Sequence, residues 1–391
     1  MRSFSAQYIF TNTGLPLKRS LVKTGDDGTI ISIEDTCGDL KEKQSVEFFN
    51  GIIIPGFVNC HCHLELSHLR GLIPEKTGLP DFISQIRSRR ETRQEDIVTS
   101  ALTADSELYH EGINLCADIC NTPATFPVKK ESPIQYINML EVFGIDPDKA
   151  GHRMLEAAVL AEESGKYGLE GYITPHSLYS VSLPLLQLIK RQSTHNKVSS
   201  IHFLETKDEI PFLRHHKGPL IDSYQKSGIM PPYLKTVGDH VSGILTETTN
   251  SGNLILVHNT CVNKHILRSV NKRENTFWCL CPGSNIFIDN AIPPAGLLWQ
   301  EGCEIVTGTD SLASNSKLSI LSELKILQEH FPDIGLENLI RWGTINGAKA
   351  LGKENLFGKI EPGLKPGLLL LKDVDLVNLK LLPETTVTRL I

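Results

Sequence analysis

The 391-residue sequence has no uninterrupted apolar run long enough to cross a bilayer, and its opening residues, Met1-Arg2-Ser3-Phe4-Ser5-Ala6-Gln7-Tyr8, lack the apolar core of a signal peptide. Nor is there an excess of positive charge: 39 lysines and arginines stand against 45 aspartates and glutamates, a net −6. With a pI of about 6.2, neither nucleic acid nor a membrane surface is expected as a partner. The nine cysteines are odd in number and lack the spacing of a small disulfide framework, so reduced thiols in the cytoplasm fit best. No short repeat or low-complexity tract occurs. With these classes set aside, 40% apolar content and a mean hydropathy of −0.11 leave ample material for a large core. The length allows two or three domains, or one α/β barrel that absorbs most of the chain.

One stretch organises the rest: Ile52-Ile53-Ile54-Pro55-Gly56-Phe57-Val58-Asn59-Cys60-His61-Cys62-His63-Leu64-Glu65. A strand has a period of two, so His61 and His63 leave it on one side. Two imidazoles at the end of a buried strand are poor core filler, because each carries polar atoms that need partners. They suit a divalent metal, and the plainer reading is a strand with two satisfied histidines. Cys60 and Cys62 alternate to the other side and are expected to pack.

Residues from about 5 to 50 alternate short apolar runs with Gly, Asp and Asn, and the same texture returns from Gly358 to Asp375. Both read as short strands with tight turns, which suggests one small β domain built from both termini. Between them lie eight apolar strand candidates: Ile52–Cys60, Gly112–Ile119, Gln135–Val142, Gly171–Pro175, Val198–Phe203, Asn253–Val257, Thr276–Leu280 and Cys303–Thr307. Helical stretches such as Asp81–Arg93, Asp148–Ser164, Leu183–Arg191 and Leu318–His330 separate most of them. Strands alternating with helices in this way predict an α/β fold, a (β/α)8 TIM barrel. The expected division is a composite β domain over 1–53 and 353–391 around a barrel over 54–352.

A barrel puts functional residues at the C-terminal ends of its strands. His61 and His63 end the first, His176 the fourth, His202 and Glu205 the fifth, His258 the sixth and Asp310 the eighth. Five histidines and an aspartate are thereby brought to one face, although a strand-end histidine taken singly is more often structural. Cys279-Leu280-Cys281 has no second cysteine pair to complete a metal site. His195, His215, His216, His240, His265 and His330 stand in polar contexts and are expected to be solvated.

Pro55-Gly56-Phe57-Val58-Asn59-Cys60-His61-Cys62-His63, His202 followed by Glu205, Gly308-Thr309-Asp310-Ser311 and Thr344-Ile345-Asn346-Gly347-Ala348-Lys349-Ala350-Leu351-Gly352 together resemble the amidohydrolase superfamily, in its nucleoside- and nucleobase-deaminase branch. The resemblance covers nearly the whole chain and implies that the terminal β domain is a β-sandwich. It implies that His61, His63, His202 and Asp310 hold one divalent metal, Zn2+ with Fe2+ as an alternative, and that no second metal is present. It implies a hydrolytic deaminase in which Asp310 accepts the proton of water, Glu205 is the general acid and His258 orients the water. Glu205 could instead fix a ligand from behind. His176 is implied as a substrate contact, with a structural hydrogen bond as the rival. Glu65 could meet ribose hydroxyls or pair with Arg70, and Glu141 is a similar candidate.

Within that branch, His61-Cys62-His63-Leu64-Glu65-Leu66-Ser67 and Gly308-Thr309-Asp310-Ser311-Leu312-Ala313-Ser314-Asn315 most resemble the aminodeoxyfutalosine deaminase family, which serves a route to menaquinone. The benzoate of that substrate needs a cation, for which Arg87, Arg89 and Arg90 are candidates beside the reading of a solvated basic helix face. Gly283 departs from relatives that often carry a basic residue there. Other readings are a deaminase for adenosine, methylthioadenosine or S-adenosylhomocysteine, a triazine-type hydrolase, and an inactive scaffold that acts by binding. The expected partner is a small amino-heterocycle or nucleoside, and the expected assembly is a homodimer.

Overall fold

The computed structural model describes residues 1–41, 45–226, 228, 252–270 and 273–391. The N-terminal part supplies β1 (Arg2–Ile9), β2 (Leu17–Lys18), β3 (Leu21–Thr24), β4 (Ile30–Glu34) and β5 (Val46–Pro55). The middle supplies β6 (Phe57–Cys62), β7 (Ile113–Cys120), β8 (Gln135–Val142), β9 (Glu170–Pro175), β10 (Val198–Phe203), β11 (Asn253–His258), β12 (Thr276–Leu280) and β13 (Glu304–Thr307), and the chain closes with β14 (Leu368–Asp375) and β15 (Lys380–Arg389). Seven of the eight strands expected in the middle fall within a residue of these limits. The first, expected over Ile52–Cys60, is two strands: β5 joins the terminal sheet, and the chain turns at Gly56, whose N–H bonds Pro366 O at 3.1 Å, before β6 begins.

The middle is an α/β arrangement of parallel strands. Two four-stranded sheets run β6-β7-β8-β9 and β10-β11-β12-β13, and their runs are apolar and continuous because helices cover the outer faces. The two sheets meet through single parallel bridges, Cys62 with Asp310 and Ser177 with His202, not through full ladders. The continuous closed barrel expected from the sequence is therefore not formed by backbone pairing. At the first seam the reason is local, since Asp310 has φ +56° and has left strand geometry.

The terminal strands form one seven-stranded sheet in the order β15-β14-β5-β1-β3-β4, with β2 against β1. Among the described residues a two-layer sandwich is not seen. Strand β5 pairs in parallel with β1 and antiparallel with β14, for example Leu369 with Ile54, which draws both termini into a single sheet. Phe4, Ile9, Ile53 and Leu370 pack together on it.

The helix expected over Asp81–Arg93 ends at Arg89, and a second helix missed from the sequence covers Gln94–His110. Arg93 is extended (φ −61°, ψ 135°), so the polar run 90–93 breaks the helical path. Helices also span Ala150–Lys166, Leu183–Gln192 and Ile320–His330, close to expectation. Helix Ile345–Ala350 follows the last of the parallel strands.

Candidate active site

The C-terminal ends of the parallel strands bring the histidines together. His61 and His63 sit at the end of β6, His202 in β10 and His258 at the end of β11, all of them buried. The Nε2 atoms of His61 and His63 lie 3.2 Å apart, with Asp310 Oδ1 at 3.5 and 3.3 Å from them. A ligand atom from each of His61, His63 and His202 falls within 4.8 Å of the others. Burial pushes the imidazoles of His63 and His202 well below their ordinary range, and neighbouring histidines add to the effect for His202. They stand neutral, as metal donors must. Burial works against ionisation of Asp310, but the imidazoles of His61, His63 and His258 outweigh it and hold the carboxyl well below the usual range. Converging neutral nitrogens and an ionised carboxylate oxygen fit one divalent cation.

The second carboxylate oxygen is held from behind. Asp310 Oδ2 accepts from the hydroxyls of Ser284 at 2.6 Å and Ser314 at 2.7 Å. On His202, Nδ1 donates to His176 O at 3.0 Å, which turns the other ring nitrogen to the cluster. Glu141, His176 and His202 also lie close enough to be considered as a metal group, but that backbone bond commits the nitrogen of His202 nearest Glu141. Gly308 lets β13 approach β6, since a Cβ there would stand 2.7 Å from His61 Cβ and 2.9 Å from Cys279 Sγ. Cys60 and Cys62 are both buried, as packing requires, but they fall in different apolar clusters, Cys60 with Val58 and Cys279 and Cys62 with Cys116, because the register of β6 against β7 shifts between Asn59 and Cys62.

Glu205 follows β10 and is buried, with Oε1 3.6 Å from His258 Nε2. Burial raises its carboxyl well above the ordinary value, and the carboxylates of Asp310 and Glu209 add to this. His258 is pushed down to about 3, chiefly by burial. Its Nδ1 accepts from Asn285 Nδ2 at 3.2 Å, and its buried Nε2 has no hydrogen-bond partner among the described residues. Leu204, His258, Asn259 and Asp310 all have positive φ, between +46° and +76°. Such strain in non-glycine residues gathers at functional sites.

These groups open into a cavity of about 150 Å³ that is also lined by Arg87, Arg90, Glu141 and His176. Phe82, Ile86, Phe143 and Tyr224 give it an apolar wall. A larger, more open hollow of about 530 Å³, lined by Asn253, Glu304 and Lys349 among others, holds none of the histidines. His176 Nδ1 is held by Ser180 Oγ at 2.9 Å, and its ring stacks on His202 with centroids 4.5 Å apart. Burial brings Glu141 up to about 7, and the side-chain amide of Asn121 donates to it at 3.3 Å.

Three residues weighed from the sequence lie outside the cavity. Arg89 is exposed and does not line the cavity, because Arg87 and Arg90, three residues apart, take the inward side of the helix. Glu65 does not line it either: the carboxylate accepts from Arg90, from the N–H groups of Asn121 and Thr122, and from the Thr122 hydroxyl. Its suggested partner Arg70 pairs with Glu107 instead. Gly283 also lies off the cavity, and a Cβ there would meet Asn315 Nδ2 and Glu323 Oε1, each at 2.8 Å. Among the histidines expected to be solvated, His195, His215, His265 and His330 are exposed, and His216 is half-buried against Phe212. His240 lies outside the described residues. Ser284, Ser314, Asn285 and Asn121 were missed. Ser284 and Asn285 adjoin Gly283, and Ser314 follows Asp310 by four residues, so proximity to the motifs was their one signal.

The sequence profile of the amidohydrolase family matches residues 52–388, and the chain belongs to that family. A 5-methylthioadenosine/S-adenosylhomocysteine deaminase of Pyrococcus abyssi is 27% identical over 330 residues, covering 79% of this chain and 71% of the relative. An adenosine deaminase of Helicobacter pylori is 25% identical, covering 82% and 79%. The crystal structure of Helicobacter pylori aminofutalosine deaminase with methylthio-coformycin superposes with a TM-score of 0.77 at 22% identity, covering 95% and 92%. That last likeness speaks to fold alone. The chain is a hydrolase acting on carbon–nitrogen bonds, and its relatives point to nucleoside deamination.

Proposed function

We propose that this chain is a metal-dependent hydrolytic deaminase of a 6-aminopurine nucleoside, with aminodeoxyfutalosine as substrate, ammonia as product and a place in the futalosine route to menaquinone. The observation that carries the reading is the meeting, in one buried pocket, of the His61, His63, His202 and Asp310 donors with the Glu205–His258 pair.

His61, His63, His202 and Asp310 would hold one divalent ion, zinc in this reading with Fe2+ also suited, and when bound it supplies a nucleophile at neutral pH by lowering the pKa of water. Asp310, held ionised by its imidazole neighbours, takes up the proton that the attacking water gives up. Glu205, kept protonated by burial, gives its proton to the ring nitrogen beside the attacked carbon, so that negative charge does not build up on the purine. Asn285 at Nδ1 leaves the proton of His258 on Nε2, where it orients the water and bonds the oxygen that replaces the amine. His176, with Nδ1 held by Ser180, and Glu141 bind the nucleoside, while Glu65 serves the site by holding Arg90. The apolar wall and Arg87 suit a benzoate, whose burial without a partner would be costly.

In the same reading, 1–53 with 353–391 and 54–352 are the two structural units, the enzyme is a homodimer, and it works in the cytoplasm. A second reading, deamination of methylthioadenosine or S-adenosylhomocysteine, is favoured by the Pyrococcus relative and keeps the same catalytic set.

A panel of ammonia-release assays tests the proposal. kcat/KM for aminodeoxyfutalosine should exceed that for adenosine by at least about tenfold, or about 1.4 kcal/mol. Comparable values would indicate an adenosine-type enzyme, and preference for methylthioadenosine would favour the second reading. Turnover of a triazine alone would keep the family and remove the nucleoside. A metal-loaded protein inactive on every compound would favour a binding scaffold.

A further inference from the structure

We infer that Glu209 is a positioning residue for Glu205: its carboxylate locks the backbone of residues 204–206 and so fixes where the acid stands. The inference rests on the reading of Glu205 as the proton donor.

Thr206-Lys207-Asp208-Glu209 has the spacing of a capping box, in which a glutamate reaches back to the N–H three residues earlier. Glu209, the first residue of helix Glu209–His215, does so, with Oε1 accepting from Thr206 N at 3.3 Å. The grip extends beyond the helix. Oε1 also accepts from Glu205 N at 2.6 Å, the shortest of the set, and Oε2 accepts from Leu204 N at 3.1 Å. Three consecutive amides thus converge on one carboxylate. Glu209 is fully buried, and no cation pairs with it among the described residues. A buried carboxylate without a counter-charge is costly for a simple helix cap, which serine, threonine or an exposed glutamate could provide.

The need lies in the turn that Glu209 holds. Leu204 has φ +46°, a left-handed conformation unfavourable for a branched side chain, and it swings the chain out of β10 just before Glu205. The carbonyls of this turn are held from the other side, Phe203 O by Asn259 N at 3.0 Å and Leu204 O by Cys261 N at 2.9 Å. Glu209 secures the amides. Without it three buried N–H groups lose their acceptor, the turn relaxes, and Glu205 leaves its 3.6 Å approach to His258 Nε2.

The test uses the full-length, metal-loaded enzyme with E209Q, E205Q and the double variant, assayed on aminodeoxyfutalosine and adenosine. E209Q puts an N–H₂ against at least one backbone amide. It should lower kcat by at least about tenfold, leave KM within about threefold and leave metal content unchanged. The double variant should be no slower than E205Q, because Glu209 acts through Glu205. Hydrogen exchange provides a readout independent of turnover: the amides of residues 204–206 should lose protection in E209Q. Losses that add in the double variant, or unchanged protection of these amides, overturn the inference. An E205Q rate equal to wild type overturns the acid assignment and this inference with it. If neither nucleoside is deaminated, the proposed function falls, and the exchange data still decide whether Glu209 locks the turn. E209D, which withdraws the carboxylate by one methylene, replaces E209Q in the same cycle if the glutamine variant does not fold.

Discussion

Arg87 and Arg90 face the same pocket but differ in what they already hold. Arg90 is committed to Glu65 and to Asn121 Oδ1, at 2.6 Å from the latter. Arg87 lies over the Tyr224 ring, its guanidinium carbon 5.7 Å from the centroid, with no carboxylate against it among the described residues. Arg87→Met should therefore lower kcat/KM for aminodeoxyfutalosine by about tenfold and leave adenosine nearly unaffected. Arg90→Met should depress turnover of both, because it strips the counter-charge from a buried carboxylate. Equal losses on both substrates from Arg87→Met would remove it from benzoate recognition. The ligand and acid assignments separate in the same way. His202→Ala should lose metal and activity together by elemental analysis, while Glu205→Gln should keep the metal and lose roughly 10²–10⁴ in kcat. Loss of metal from Glu205→Gln would make that residue structural.

At the level of elements, β6 and β7 are tied behind the histidines by a buried ion pair. Asp118, on β7, accepts from Leu64 N at 2.7 Å, immediately after His63. Lys129, from helix Phe126–Glu131, pairs with Asp118 and donates to Asn138 Oδ1 at 2.9 Å, and both charges are fully buried. Lys129→Met leaves Asp118 as an uncompensated charge, for which a loss of about 3–5 kcal/mol in chemical denaturation is expected. Adding Asp118→Asn should recover part of it. Failure of the second change to restore any stability would show that the lysine acts by packing alone. None of this was legible in sequence, because an aspartate in a strand and a lysine in a short helix carry no mark of their meeting. The helix break at residues 90–93 was missed for a related reason: the run is polar throughout, so hydrophobic periodicity had nothing to register.

For the whole molecule, buried carboxylates set the response to pH. Burial raises Glu323 to about 8 from an ordinary value of 4.5. A carboxyl whose folded pKa is raised binds its proton more tightly in the native state, so the stability it contributes is full below about pH 4.5 and is lost as pH rises through about 8. Denaturation midpoints of the metal-free protein should fall from about pH 5 to about pH 9 on this account, and Glu323→Gln should flatten the slope. A midpoint that instead rises over that range would show that other groups dominate.

Local pattern determined much of this protein. The apolar runs located the parallel strands, and the His-x-His spacing at the end of β6 keeps His61 and His63 side by side. Position at strand ends, together with the resemblance to the amidohydrolase motifs, selected His202, Glu205, His258 and Asp310, and the fold gathers all of them. These features depend on near neighbours in sequence, and strand geometry carries them directly into space. Tertiary structure alone decided the rest. Which oxygen of Asp310 faces the imidazoles depends on Ser284, from helix Pro282–Asp289, and Ser314, from the turn after Asp310. Whether Arg87, Arg89 or Arg90 reaches the cavity depends on the rotation of one helix about its axis, and Glu65 is drawn away by amides of residues 121 and 122. Gly283 is glycine because Glu323, forty residues on, fills the space a side chain would need and takes its N–H at 2.8 Å. Contacts between residues far apart in the chain leave no periodic trace, so only the folded chain reveals them.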